Sequence, residues 1–124
     1  MAGKVYHSRM PFLHVVTSVT LTPAAQALIG DLSRLLAREL GKPEAYVMTL
    51  LETGANLMFG ASAEPACCVT VKNVGTFGHE LTRLLTRAIT DRVSRTLAIP
   101  GGRIYVELVE VAPELWGHDG ETFA

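Results

Sequence analysis

Few residues in this chain have the type and spacing for chemistry, and most lose that reading once their neighbours are considered. His7, His14, His79 and His118 lack the HExxH or similar spacing that would bring two imidazoles onto one metal ion. Cys67 and Cys68 are the only cysteines, and they are adjacent. Neighbours on a strand point to opposite faces, so they form neither a disulfide framework nor a spaced metal site and are expected to be buried thiols. Gly75-Thr76-Phe77-Gly78 superficially resembles a phosphate-cradling glycine loop, but it lacks the third glycine and the following acidic residue, and it reads as a turn into a helix. Arg83, Arg87, Arg92 and Arg95 form a solvated helix face that could hold an anion and little more. By residue type alone, Lys42 is a cation meeting the end of a helix dipole, Pro11 a proline before a strand, and Tyr105 a core or interface aromatic.

The elements that would position these groups are legible in the hydrophobic pattern. Phe12 to Val19 is rich in β-branched residues, and Thr22-Pro23 after it reads as a helix cap followed by proline at the first helical position. Ala25, Leu28, Ile29, Leu32, Leu35, Leu36 and Leu40 then recur at three- and four-residue steps, until Gly41 and Pro43 end the helix. Tyr46 to Leu51 is compatible with a buried strand. The second half repeats the order, with a strand over Ala66 to Val74, a helical stripe from Leu81 to Leu97, and a strand over Ile104 to Val111. Leu40 and Leu97, Pro43 and Pro100, and Val47 and Ile104 are each 57 positions apart, which points to an internal duplication. Glu52 to Pro65 between the halves reads as a connecting loop with a short extended piece. The expected class is therefore α+β: two right-handed βαβ units in which two helices cover one face of a four-stranded sheet and leave the other bare. With Val15, Val69, Val71, Ile104 and Val106 set among Leu13, Val16, Cys68 and Tyr105, both faces are expected to be apolar, and the bare one to need another subunit.

Composition narrows the function classes. A chain of 124 residues has room for one core, and 48% hydrophobic against 19% charged residues excludes disorder. Mean hydropathy of +0.27 agrees with an oligomer. Eleven basic and twelve acidic residues leave a formal charge of -1, without the basic bias of a nucleic-acid binder. No apolar run approaches a membrane span, and residues 1–10 lack a signal-peptide core, so a cytoplasmic protein is expected, with non-classical secretion left open.

Five motifs in order carry a resemblance. They are Met10-Pro11-Phe12, Gly41-Lys42-Pro43, Phe59 to Pro65 (FGASAEP), Arg103-Ile104-Tyr105 and the tail Gly120-Glu121-Thr122-Phe123-Ala124. Over Pro11 to Ala124 the chain resembles the macrophage migration inhibitory factor family of the tautomerase superfamily. That resemblance implies a single domain over residues 11–124, a mixed four-stranded sheet, a homotrimer with active sites between neighbouring subunits, and no cofactor. It further implies a keto–enol tautomerase acting on phenylpyruvate- or dopachrome-like α-keto or enol acids, with Pro11 as the base once its nitrogen is a free secondary amine. An apolar pocket and a nearby cation depress the pKa of such an amine and make it a working base. By the same resemblance Lys42 holds the substrate carboxylate or enolate oxygen and the Val74 backbone N–H assists. Tyr105 of a neighbouring subunit hydrogen-bonds the substrate, and Phe12, Trp116 and Phe123 form apolar walls. Glu107 and His118 stand where animal members carry asparagine and an aromatic residue, forming an ionisable pair at the pocket mouth that alters substrate preference. Ala66 and Val69 occupy the two cysteine positions of the animal Cys-x-x-Cys motif, so thiol oxidoreductase activity is not carried over.

Residues 1–10 make the Pro11 nitrogen an amide in the chain as written. Translation starting at Met10, with the leader an artefact of the gene boundary, is the favoured explanation. A leader removed by processing is the second, and a fold kept without the activity is the third. The alternative function is then a non-catalytic trimeric binding or signalling protein whose Pro11 is blocked. A ferredoxin-like ligand-binding domain is a more distant reading of the same element order.

Overall fold

The computed structural model describes residues 11–124, so the readings of residues 1–10 lie outside the described residues. The elements are β1 (Phe12–Thr17), α1 (Pro23–Leu40), β2 (Met48–Glu52), β3 (Cys67–Val74), α2 (His79–Leu97), β4 (Ile104–Val111), β5 (Gly117–His118) and β6 (Glu121–Thr122).

Local chemistry fixes the ends of α1. Thr22 is extended, and its Oγ1 accepts the Ala25 N–H at 3.0 Å, satisfying one of the unpaired donors of the first turn. At the other end Gly41 takes the left-handed conformation (φ 65°), and the Lys42 N–H donates back to the Ala37 carbonyl at 2.8 Å. The duplication expected from the 57-residue offset extends to this detail, because Ala98 closes α2 in the same conformation (φ 57°). Alanine there bears a steric penalty that glycine avoids. Ala98→Gly should raise stability by about 1 kcal/mol, read as a higher urea midpoint at unchanged slope.

The main sheet has the order β2-β1-β3-β4. Each βαβ unit contributes a parallel pair, β1 with β2 and β3 with β4, and the units meet at an antiparallel seam between β1 and β3. Strand alternation sends Leu13, Val15, Val69 and Val71 to one side, where they are fully buried against Leu32, Leu36, Leu85 and Ile89 of the two helices. Arg92 of α2 bonds Asp31 of α1 at 3.1 Å and ties the helices together.

The opposite face corrects the expectation of a bare apolar surface. Leu13 shares the side of Val15, and the uncovered face mixes Val16, Met48 and Tyr105 with Thr70, Lys72 and Glu107. Met48 and Tyr105 are each 65% exposed, while His14 Nε2 and Glu52 Oε1 pair at 2.5 Å. A face of this composition tolerates water better than an all-aliphatic one.

Two tight turns went unread in the sequence as hairpins. Gly60 and Ala61, both at positive φ, reverse the chain between Phe59 and Ser62, whose backbones exchange two hydrogen bonds at 3.0 and 3.1 Å. Asp119 and Gly120, at φ 52° and 80°, join β5 to β6 in the manner of a type I′ turn. The first turn belongs to the loop between the halves, and Arg103 holds that loop. Its guanidinium donates to the carbonyls of Phe59, Ser62, Glu64 and Pro65 at 2.9 to 3.2 Å and lies 5.2 Å from the centre of the Phe59 ring.

Candidate functional site

Pro11 is buried at the start of β1, where its carbonyl accepts the Met48 N–H at 3.1 Å. That bond brings the beginning of β2 alongside, and Pro43 and Glu44 curl the chain into a 3₁₀ turn over Glu44–Tyr46 just before it. The β5–β6 hairpin closes the other side. The result is a cleft of about 410 Å³ lined by Pro11, Phe12, Ala45, Tyr46, Val47, Met48, Trp116, Gly117 and His118. It is a mainly apolar depression whose lining side chains carry three polar groups, the Tyr46 hydroxyl, the Trp116 indole N–H and the His118 imidazole.

The structure brings together part of the expected site. Pro11, Phe12, Trp116 and His118 line the cleft. Val74 and Phe123 form the packing behind it: both are buried and in one cluster, with Tyr46 and Trp116 against them. Phe123 is thus a support for the walls, and its ring stacks on His118 with centroids 6.4 Å apart. Its backbone N–H donates to the carbonyls of Pro113 and Trp116, which fixes the tail beneath the hairpin. Lys42 is half-buried just past the α1 cap, on the segment that leads into the cleft.

Tyr105 and Glu107 are placed elsewhere. The registers put Tyr105 in the row of Cys68 and Val16, toward the end of the sheet away from Pro11, and Glu107 in the row of Thr70 and His14 at mid-sheet, and neither lines the cleft. Tyr105 packs on Phe59 at 4.8 Å between ring centres. Glu107 and His118 therefore do not form a pair within one subunit. Sequence reasoning missed Ala45, Tyr46, Val47, Met48 and Gly117 as lining residues. Tyr46 stood inside a supposed strand, and the signal for the hairpin carrying Gly117 was the Asp119-Gly120 dipeptide.

The remaining candidates are not assembled into a second centre. Among the described residues no group of three or more His, Cys, Asp and Glu could hold a metal ion, and no helix is long and apolar enough to cross a membrane. A groove of about 710 Å³ on α2 is open to solvent and lined by Arg83, Arg87, Asp91 and the hydroxyls between them. Burial pushes the Cys67 thiol up from 9.0 to about 12, with the neighbouring Cys68 thiolate adding to the effect. Between those two values the unfolded chain releases a proton that the folded one retains, so this group lowers stability as pH rises from 9 towards 12. At pH 9 a thiol reagent should leave Cys67 unmodified in the folded protein and reach it on denaturation, as read by intact mass.

Comparison with known proteins agrees with this architecture. The family model described as Macrophage migration inhibitory factor (MIF) matches residues 10–124. The chain is 28% identical over 115 residues to the macrophage migration inhibitory factor of Xenopus tropicalis, covering 93% of this chain and all of that protein. It is 30% identical over 114 residues to the homolog of Trichuris trichiura, covering 92% and 100% respectively. Among solved structures, the homologue from Prochlorococcus marinus superposes with a TM-score of 0.86 at 36% identity, covering 91% of this chain and 99% of that one. The macrophage migration inhibitory factor of Trichinella spiralis gives 0.83 at 26%, covering 90% and 98%.

Proposed function

Because the chain belongs to the macrophage migration inhibitory factor family, within the tautomerase superfamily, we propose that it is a cofactor-independent keto–enol tautomerase with the Pro11 amine as its base. The observation that carries this reading is a buried proline at the start of β1 beside a largely apolar cleft of about 410 Å³. A secondary amine there loses solvation when protonated, so its conjugate acid is weakened and the neutral form prevails nearer pH 7. The substrates are phenylpyruvate- or dopachrome-like. Their ring suits walls of Phe12, Met48 and Trp116, and the carboxylate or enolate oxygen is held by Lys42 and the Val74 N–H.

In the forward step the Pro11 nitrogen takes a proton from the carbon beside the keto group, and the C–H electron pair moves to form the enolate. The prolyl ammonium then returns that proton to the oxygen, giving the enol and restoring the base. Lys42 stabilises the oxygen's negative charge while it exists. Assembly as a homotrimer supplies what one subunit lacks: Tyr105 and Glu107 of a neighbour complete the mouth beside His118. The cytoplasm is the compartment this reading assigns.

A second reading rests on one covalent fact. In the 124-residue chain the Pro11 nitrogen belongs to the Met10–Pro11 peptide bond and carries no basic lone pair. A protein kept in that state is a non-catalytic trimeric binding or signalling module. Intact mass and N-terminal sequencing, paired with phenylpyruvate ketonisation on the same samples, separate the two. Turnover is expected from chains beginning at Pro11 and background rates from chains beginning at Met1. Equal activity from both would remove Pro11 as the base.

A further inference from the structure

Asn73 breaks the apolar row of β3. Its predecessors on the helix-covered face are Cys67, Val69 and Val71, yet at Asn73, only 1% exposed, a carboxamide is buried. Neither its Oδ1 nor its Nδ2 has a hydrogen-bond partner among the described residues, whereas the hydroxyl of buried Thr17 donates to the Ala66 carbonyl at 2.8 Å. An unpaired buried polar group costs about 1–3 kcal/mol, and leucine would fill similar space without that penalty. Such a group calls for a polar partner.

The register indicates one. Phe12 faces Lys72 and Leu13 faces Val71, so continuing the antiparallel pairing by one residue sets Pro11 opposite Asn73. Both are buried, and by alternation both belong to the side of Leu13 and Val71. Directly opposed residues have Cβ atoms about 4.5–5.5 Å apart, within reach of a carboxamide. In the peptide-bonded chain the Pro11 nitrogen has no hydrogen to offer; as a free amine it has one, and as an ammonium two.

We propose that Asn73 is a positioning residue for the base, its Oδ1 accepting a hydrogen bond from the free Pro11 N–H and so turning the nitrogen's lone pair toward the cleft. This rests on the reading of Pro11 as the base. A bond to the ammonium is stronger than one to the neutral amine, so Asn73 also holds the amine's titration midpoint up against the burial that lowers it. Among the described residues, the charged or titratable groups near this pair include Tyr46 and His118 in the cleft, Lys42 past α1, Lys72 opposite Phe12 on β3, and Glu110, which the register sets beside Asn73 on β4. Glu110 Oε2 already accepts the Phe77 N–H at 2.9 Å.

The test uses protein expressed from Met10, so that methionine removal leaves Pro11 first; relatives align over this stretch along their whole length. With ¹⁵N-labelled proline, the Pro11 nitrogen is titrated by NMR in the parent, Asn73→Leu, Asn73→Ser and Asn73→Asp proteins. Asn73→Leu should lower the midpoint by about 0.5–1 pH unit, and Asn73→Asp, placing an anion beside the ammonium, should raise it. Asn73→Ser should fall between leucine and the parent. In phenylpyruvate ketonisation Asn73→Leu should lose about tenfold in kcat with KM nearly unchanged. Asn73→Leu gives up the bond to Pro11 but also removes the unpaired Nδ2 and fills similar space, so it should stay folded and decides the matter even if the aspartate variant fails to fold. Coincident midpoints for the parent and Asn73→Leu would overturn the assignment and make Asn73 structural. The stated shifts without turnover of phenylpyruvate would uphold Asn73 and defeat the substrate reading instead.

Discussion

Pro11→Gly in a chain beginning at that residue should lower kcat/KM for phenylpyruvate ketonisation by about 10²–10³-fold, mostly in kcat. The substitution leaves an amine but changes it in three ways. A primary amine replaces a secondary one, the ring that locks rotation about the N–Cα bond is lost, and the nitrogen's lone pair becomes free to turn away from the substrate carbon. The walls of the cleft are contributed by Phe12, Met48, Trp116 and their neighbours, so substrate affinity should change little. Steady-state kinetics across pH 5–9 check this. A loss confined to KM would mean that Pro11 shapes the cleft without carrying the proton.

Arg103→Met should lower the stability of the fold by about 2–4 kcal/mol and open the loop over residues 53–65 to protease. One guanidinium satisfies four carbonyl oxygens of this loop, at 2.9, 3.0, 3.2 and 2.9 Å, and covers the Phe59 ring. Methionine keeps most of the stem packing and removes every donor, so the difference reports the hydrogen bonds and the charge. The loss stays well below the sum of four charge-assisted bonds, because the site is partly exposed and water replaces some of them. Urea denaturation and limited proteolysis measure the two effects. An unchanged urea midpoint with unchanged cleavage would mean that the loop is held by its own Phe59–Ser62 hydrogen bonds.

The sequence was most legible where one signal decides an element. The Thr22 cap, Pro23 and Gly41 bound α1, and the observed helix is Pro23–Leu40. Strand ends were less legible because side-chain and turn bonds compete with the ladder. β1 stops at Thr17 rather than Val19, where the Thr17 and Ser18 side chains bind the backbone of Ala66. β2 begins at Met48 rather than Tyr46, since Tyr46 and Val47 donate to Pro43 and Glu44 in a 3₁₀ turn. The same turn put Tyr46 into the cleft, which no periodicity could reveal. Tyr105 illustrates the other limit. Its residue type and motif were evident, but its distance from Pro11 follows only from the antiparallel seam and the two parallel registers. Arg103 and the FGASAEP stretch are two of the five motifs, and the guanidinium's grip on that loop's carbonyls is what joins them.

The separation of Pro11 and Tyr105 to opposite ends of one sheet also bears on inheritance. In the proposed assembly each catalytic pocket draws on two copies of the gene product. A Tyr105 lesion therefore injures the neighbour's pocket and leaves the Pro11 of its own polypeptide sound. In a cell holding both a normal and a damaged allele, mixed rings would show partial dominance. Two different lesions, one at each end, would complement each other wherever a subunit with intact Pro11 abuts one with intact Tyr105.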